Sequence, residues 1–264
     1  MTGYFSPNAA KFAPGARRGV RPSLQKWARI LRFGPPMVSL TALIWAGQAL
    51  AQTTINGETS APLATSKSGD ITISTGGTVK PASGVAVTID SNNVVSNSGV
   101  IQFQNIDNAT GVLIQGGHTG SLTNGNTIQV DDTSTTTSDS NGIVHGPFAN
   151  GTNRIGVRVV GPGDFTGSIT NGAGAVVTVK GDNSYGISVE TGLNGSISQL
   201  GTINISGTNS IGLRTTGAVN GDVNLGGSIA AGGQGTSAVS PETSPPSETA
   251  EVPWPPAATA RARW

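Results

Sequence analysis

Between Arg154 and Val239 the chain repeats a short apolar phrase between glycines, and this repeat constrains the fold more than any other feature. One copy holds Ile155-Gly156-Val157-Arg158-Val159, Gly167-Ser168-Ile169 and Val176-Val177-Thr178-Val179. The next holds Tyr185-Gly186-Ile187-Ser188-Val189, Gly195-Ser196-Ile197 and Thr202-Ile203-Asn204-Ile205. A third holds Ile211-Gly212-Leu213-Arg214-Thr215, Gly221-Asp222-Val223 and Gly227-Ser228-Ile229. Gly156, Gly186 and Gly212 are 30 and 26 residues apart, and Gly167, Gly195 and Gly221 are 28 and 26 apart. A fainter copy, Gly120-Ser121-Leu122-Thr123-Asn124-Gly125, echoes Gly167-Ser168-Ile169-Thr170-Asn171-Gly172. A period in this range denotes stacked repeats, in which one unit cannot bury its apolar face and its neighbours complete the core.

Three short β-branched runs per period, with no sustained helical periodicity after Ala51, predict an all-β, right-handed parallel β-helix over residues 52–240. Each coil would give one strand to each of three sheets, and roughly seven coils fit the 189 residues from Gln52 to Ser240. The side chains expected to point inward are Val157, Val159, Ile169, Val177, Val179, Ile187, Val189, Ile197, Ile203, Ile205, Leu213, Val223 and Ile229. The glycines are expected at tight corners with positive φ, and Asn124, Asn171, Asn194 and Asn220 beside them to tolerate the left-handed backbone. The polar stretch from Asp131 to Asn153 lengthens the interval from Gly111 to Gly156 to 45 residues. It predicts a loop extruded from the stack at about 131–153, with room for a degenerate coil at Gly142-Ile143-Val144.

The two ends differ from this body. All seven basic residues of the first 51 are unopposed by any acid, whereas residues 52–264 carry 8 basic and 14 acidic groups. A mildly acidic body argues against a nucleic-acid partner. The apolar run Met37 to Ala46 is followed by Ala49-Leu50-Ala51. Small residues at Ala49 and Ala51 predict signal-peptidase cleavage before Gln52, making 1–51 a signal peptide with a long basic region. That run is too short for a bilayer that needs about 20 apolar residues, so no stable membrane span is expected. Residues 241–264 hold six prolines and no glycine. Two readings fit them: a disordered Pro-rich tail, or frameshifted text that ends the repeat in mid-phrase.

Chemistry is sparse. The chain has no cysteine, which excludes a disulfide framework or a thiolate metal site. His118 and His145 are the only histidines, both in phrases that read as exposed turns, and no Gly-x-Ser-x-Gly elbow occurs. Asp131, Asp132 and Asp139 are hard-oxygen groups of the kind calcium takes, but they lack an Asp-x-Asp-x-Asp-Gly pattern and read as a solvated loop. Arg158 and Arg214 occupy equivalent places with Ser188 between them and are expected to face solvent. No catalytic residue, metal ligand or cofactor is assigned.

The export signal, the Cys-free body rich in Gly, Asn and Thr, and phrases such as Asn209-Ser210-Ile211-Gly212-Leu213 and Ala218-Val219-Asn220-Gly221-Asp222-Val223 resemble the passenger region of type V autotransporters. The resemblance covers about residues 37–240. It implies a structural or adhesin-like module of a Gram-negative bacterium, handed across the inner membrane by the Sec machinery to the periplasm or cell surface. Its partners would be polysaccharides or proteins of a host cell or surface. The family's C-terminal translocator barrel has no counterpart in this sequence, since no series of alternating strands with aromatic girdles follows the repeat. Two other readings stand beside it: a carbohydrate-active β-helix enzyme (polysaccharide lyase or hydrolase) and a truncated product without function. Paired carboxylates on one sheet face would favour the enzyme, and an unbroken face of Thr, Ser and Asn the stalk.

Overall fold

In the computed structural model, which describes residues 52–240, each period closes into one coil of three strands, and every core strand pairs in parallel with its counterparts in the adjacent coils. The expected signal peptide with Ala49 and Ala51, and the tail 241–264, lie outside the described residues. Seven coils stack, so the expected parallel β-solenoid is the fold. The first sheet starts at Thr53–Ile55 and runs through Ile71–Ile73, Val94–Asn97, Thr119–Asn124, Phe165–Asn171 and Ile197–Gln199 to Val223–Asn224. The second runs from Glu58–Thr59 through Thr127–Asp131 and Val176–Lys180 to Ser228–Gly232. The third runs from Leu63–Ala64 through Thr110–Gln115, Ile155–Val160, Tyr185–Val189 and Ile211–Thr215 to Ser237–Ser240. The sequence echo is a register: Ser121 stands beside Ser168, Leu122 beside Ile169 and Asn124 beside Asn171.

Alternation along each strand decides which side chains enter the core. Eleven of the thirteen positions expected inside are buried, among them Val159, Val177, Ile187 and Ile203. Ile229 is only partly buried, and Val223 is 45% exposed. Both belong to the seventh coil, on which no further coil is stacked among the described residues, so the cover that Ile197 receives from Val223 is missing for Val223 itself. The bulkiest fillings are Phe103 and Phe165.

Gly117, Gly163 and Gly174 take the expected positive φ of 79°, 79° and 80° at turns, whereas the mid-strand glycines and the asparagines named beside the corners work differently from the expectation. Gly186 lies in mid-strand, where a Cβ would meet the Gly212 carbonyl oxygen at 2.4 Å and Ile203 Cγ2 at 2.6 Å. Gly156 and Gly212 are pinned in the same way, so this column marks close approach of the second and third sheets and not a corner. Asn108, Asn153, Asn183 and Asn209, with φ of 56°, 55°, 51° and 53°, take the left-handed corner at one register position between the second and third sheets of four successive coils, and the third coil adds Asn105 at 60°. Asn124 and Asn171 do not have positive φ. They are buried in a ladder in which Asn97 Nδ2 donates to Asn124 Oδ1, Asn124 to Asn171, and Asn171 to Gln199 Oε1, each at 2.8 Å. A buried amide must find partners, and the stack supplies an identical group one rung away. Asn194 and Asn220 form a separate exposed pair at 2.9 Å.

The outward column of the first sheet reads Thr54, Thr72, Ser96, Thr123, Thr170, Ser198 and Asn224 in register. Short β-branched or hydroxyl side chains leave this face flat and uncharged.

Candidate functional site

The insertion leaves the fourth coil after Thr127–Asp131 and returns at Ile155–Val160. Asp131 therefore closes a strand and does not open the loop, and Asn153 is already the corner residue. No degenerate coil forms at Gly142-Ile143-Val144. Thr137–Ser138 and Val144–His145 make an antiparallel hairpin instead, with Ile143 and Val144 56% and 48% exposed. A run this short and polar has nothing to bury on the stack, so it pairs with itself. His145 consequently lies in a strand and not a turn, with Nε2 3.3 Å from Asp139 Oδ2. His118 does stand at the Gly116–Gly117 turn.

The base of the insertion is clamped by Arg154, whose side chain is 3% exposed. Its Nη1 donates to Asp132 Oδ2 at 2.6 Å and to the Lys180 carbonyl at 2.5 Å. Nε reaches the Ile106 carbonyl at 2.9 Å and Nη2 the Asp107 carboxylate at 3.1 Å. Asp132, itself 1% exposed, also accepts the backbone N–H groups of Ser134 and Asn150 at 2.9 and 2.7 Å. Burial opposes its ionisation, but the hydrogen bonds from Ser134, Asn150 and Arg154 outweigh that and hold its pKa at about 2. Both ends of the insertion are thus tied to one buried ion pair. The Lys180 ammonium adds a tether to the Ser134 carbonyl at 2.6 Å.

From this base the insertion comes over the second sheet. Phe148 stands 4.0 Å from where a Cβ on Gly232 would lie, next to a hollow of about 330 Å³ lined by Thr178, Lys180, Asn204, Ser206 and Ala230. Asp131, Asp132 and Asp139 do not converge. Asp131 takes Gln129 at 2.7 Å and is pushed up by burial, Asp132 takes Arg154, and Asp139 accepts Asn141 and Ile143 N–H groups, both at 2.9 Å. Among the described residues no group of three His, Asp or Glu side chains could hold a metal ion. Gln52, beside the expected cleavage point, hydrogen-bonds Thr72 across the first two coils at 2.7 Å.

A second polar cluster lies on the outer face of the third sheet. Arg158 holds Glu190 by two hydrogen bonds, Nε to Oε1 at 3.0 Å and Nη2 to Oε2 at 2.8 Å. The Ser188 hydroxyl adds a third at 2.9 Å, and Arg214 stacks on the Tyr185 ring with 4.7 Å to its centroid. Burial raises the Glu190 pKa, but these partners outweigh it and leave the group below its ordinary value. Both arginines lie on the outer, solvent-facing side as expected, each half-buried by its partners.

Sequence reasoning did not find the Arg154–Asp132 pair or Glu190. A signal for Arg154 exists: by register it stands where Ala109, Ser184 and Ser210 stand in other coils, a large cation in a column of small residues. No family model matches the chain, and no curated protein or solved structure matches it either.

Proposed function

We propose that the chain is an exported, non-catalytic passenger-like module whose solenoid acts as a rigid stalk and whose insertion at 132–153 is the displayed contact element. One observation carries this: the insertion is extruded from an otherwise continuous stack, and its two ends are locked to that stack by the buried Arg154–Asp132 pair. A display loop needs a scaffold that fixes its position, since binding then loses less conformational freedom. The flat Thr and Ser column of the first sheet supports the stalk over the enzyme, because it offers no acid–base pair. Partners of such a module are surface polysaccharides or proteins, and its place is the periplasm or cell surface of a Gram-negative bacterium.

The test replaces residues 132–153 by Gly-Asp-Asn and makes Arg154→Ser, which copies the corner Gly181–Ser184 of the next coil. Circular dichroism should keep its β signature while adhesion of the purified protein to glycan-coated and cell surfaces is lost. Undiminished adhesion in this variant would sink the display reading. Release of new chain ends from a polysaccharide would replace it by the carbohydrate-active enzyme. Export is read separately by cell fractionation, with Ala49→Phe and Ala51→Phe expected to block processing.

A further inference from the structure

We propose that the outer face of the third sheet, at coils four to six, binds a carboxylate-bearing sugar of an otherwise neutral glycan, with Arg214 as the receiving group. This site goes beyond the display reading and is separate from the insertion. Leu113, Arg158, Ser188 and Arg214 form one outward column in register. With rungs ~4.8 Å apart, the two arginines start about 10 Å from each other, on either side of Ser188, which is fully buried.

Arg158 shows what this face does with a carboxylate: Glu190 reaches it from the next coil and is gripped at both oxygens. Arg214 repeats the fork two coils on. Among the described residues no hydrogen bond or ion pair reaches its guanidinium, which stacks on the Tyr185 ring and feels Glu190 only through space. Stacking fixes the plane of the fork in advance, so little rotational freedom is left to lose when an anion arrives. The cluster thus reads cation, anion, cation, with one carboxylate for two guanidiniums. A further carboxylate beside Arg214 continues the alternation and neutralises the local excess.

The rest of the chain narrows the ligand. Residues 52–264 carry 14 acidic against 8 basic groups, so a long polyanion is repelled by the body while a single carboxylate is not. The Tyr185 hydroxyl, which has no protein partner among the described residues, and the outer edge of Glu190 offer hydrogen bonds to sugar hydroxyls.

The experiment is an NMR titration of the full chain with glucuronosyl-xylose and with the same disaccharide after reduction of its carboxyl group. The acidic form should bind about tenfold tighter, as a charge-assisted fork requires. Arg214→Gln should abolish the difference with an unchanged melting curve. Arg214→Lys, which keeps the charge without the fork, should restore only part of it. Tyr185→Leu, which frees the guanidinium, should weaken binding several-fold. Equal binding of the reduced sugar, an Arg214→Gln variant that binds like the parent, or acetate competing as well as the disaccharide would each overturn the proposal. Glu242→Gln removes the next carboxylate after Asp222 and should bind like the parent. Binding that appears only in that variant would mean that the chain's own acid takes the site, and would overturn it too.

Discussion

Replacing Asp132 by Asn keeps the shape of the side chain and removes its charge from the base of the insertion. The carboxylate accepts three hydrogen bonds, from Arg154 Nη1 at 2.6 Å and from the backbone of Ser134 and Asn150 at 2.9 and 2.7 Å. An Asn has one acceptor oxygen, so its amino group must face a donor. The fall of the Asp132 pKa from 3.8 to about 2 corresponds to about 2 kcal/mol of preference for the folded, ionised state at neutral pH. Stranding the Arg154 guanidinium adds to this, and losing one partner of a buried pair costs about 3–5 kcal/mol in all. Because solenoid coils open locally, the readout is amide hydrogen exchange in residues 132–153 and in the strands Ile155–Val160 and Val176–Lys180. At pH 7 the Asp132→Asn variant should exchange there at least about 30-fold faster than the parent, the ratio that ~2 kcal/mol implies. The sign with pH follows from the depressed pKa: the contribution is complete above about 4 and is lost as pH falls toward 2. The gap between parent and variant should therefore close between pH 4 and pH 2. Unchanged exchange at pH 7, or a gap that does not vary with pH, would refute the reasoning.

Two further outcomes rest on the column contacts. Asn171→Ala leaves both Asn124 Nδ2 and Gln199 Oε1 short of a partner in a buried corner and should cost about 2–5 kcal/mol in a urea melt, whereas Asn194→Ala on the exposed pair should cost under about 1. Gly186→Ala pushes a methyl to within 2.4 Å of the Gly212 carbonyl and should cost about 1–3 kcal/mol or more by the same melt, although its backbone φ is one that alanine accepts.

The architecture was legible because a 26–30-residue period with three apolar runs has few ways to bury them. Val157, Ile187 and Leu213 share a phrase, and they share a column in the core. What the period does not tell is which column serves which end. Asn next to Gly reads as a turn, yet Asn124 and Asn171 turn inward because their side-chain amides meet one another 47 residues apart in sequence. The asparagines that do take the left-handed corner are followed by Ala109, Arg154, Ser184 and Ser210, not by glycine, and local spacing offered no reason to prefer them. The candidate sites were less legible still. Arg154 meets Asp132 only because the insertion folds back onto the coil it left, and Arg158 meets Glu190 only through the 30-residue offset of one coil plus two positions along the strand. Pair chemistry in a solenoid is set by the pitch, so it becomes readable once the register is known.

The buried amide ladder also has electrical polarity. Asn97 Oδ1 accepts the Gly99 N–H at 3.1 Å, and at the far end Gln199 Nε2 points at the carbonyls of Gly201 and Ser228 at 3.1 and 3.2 Å. These end groups fix the sense of every amide between them, and all donate toward higher-numbered coils. Strand dipoles lie across the stacking axis, whereas head-to-tail side-chain amides add along it and polarise one another. Reversing a single member would set oxygen against oxygen on one side and amino group against amino group on the other. The stack is therefore a vector as well as a scaffold: an amide-bearing coil spliced in at this corner can join only in the orientation that continues the current of hydrogen bonds.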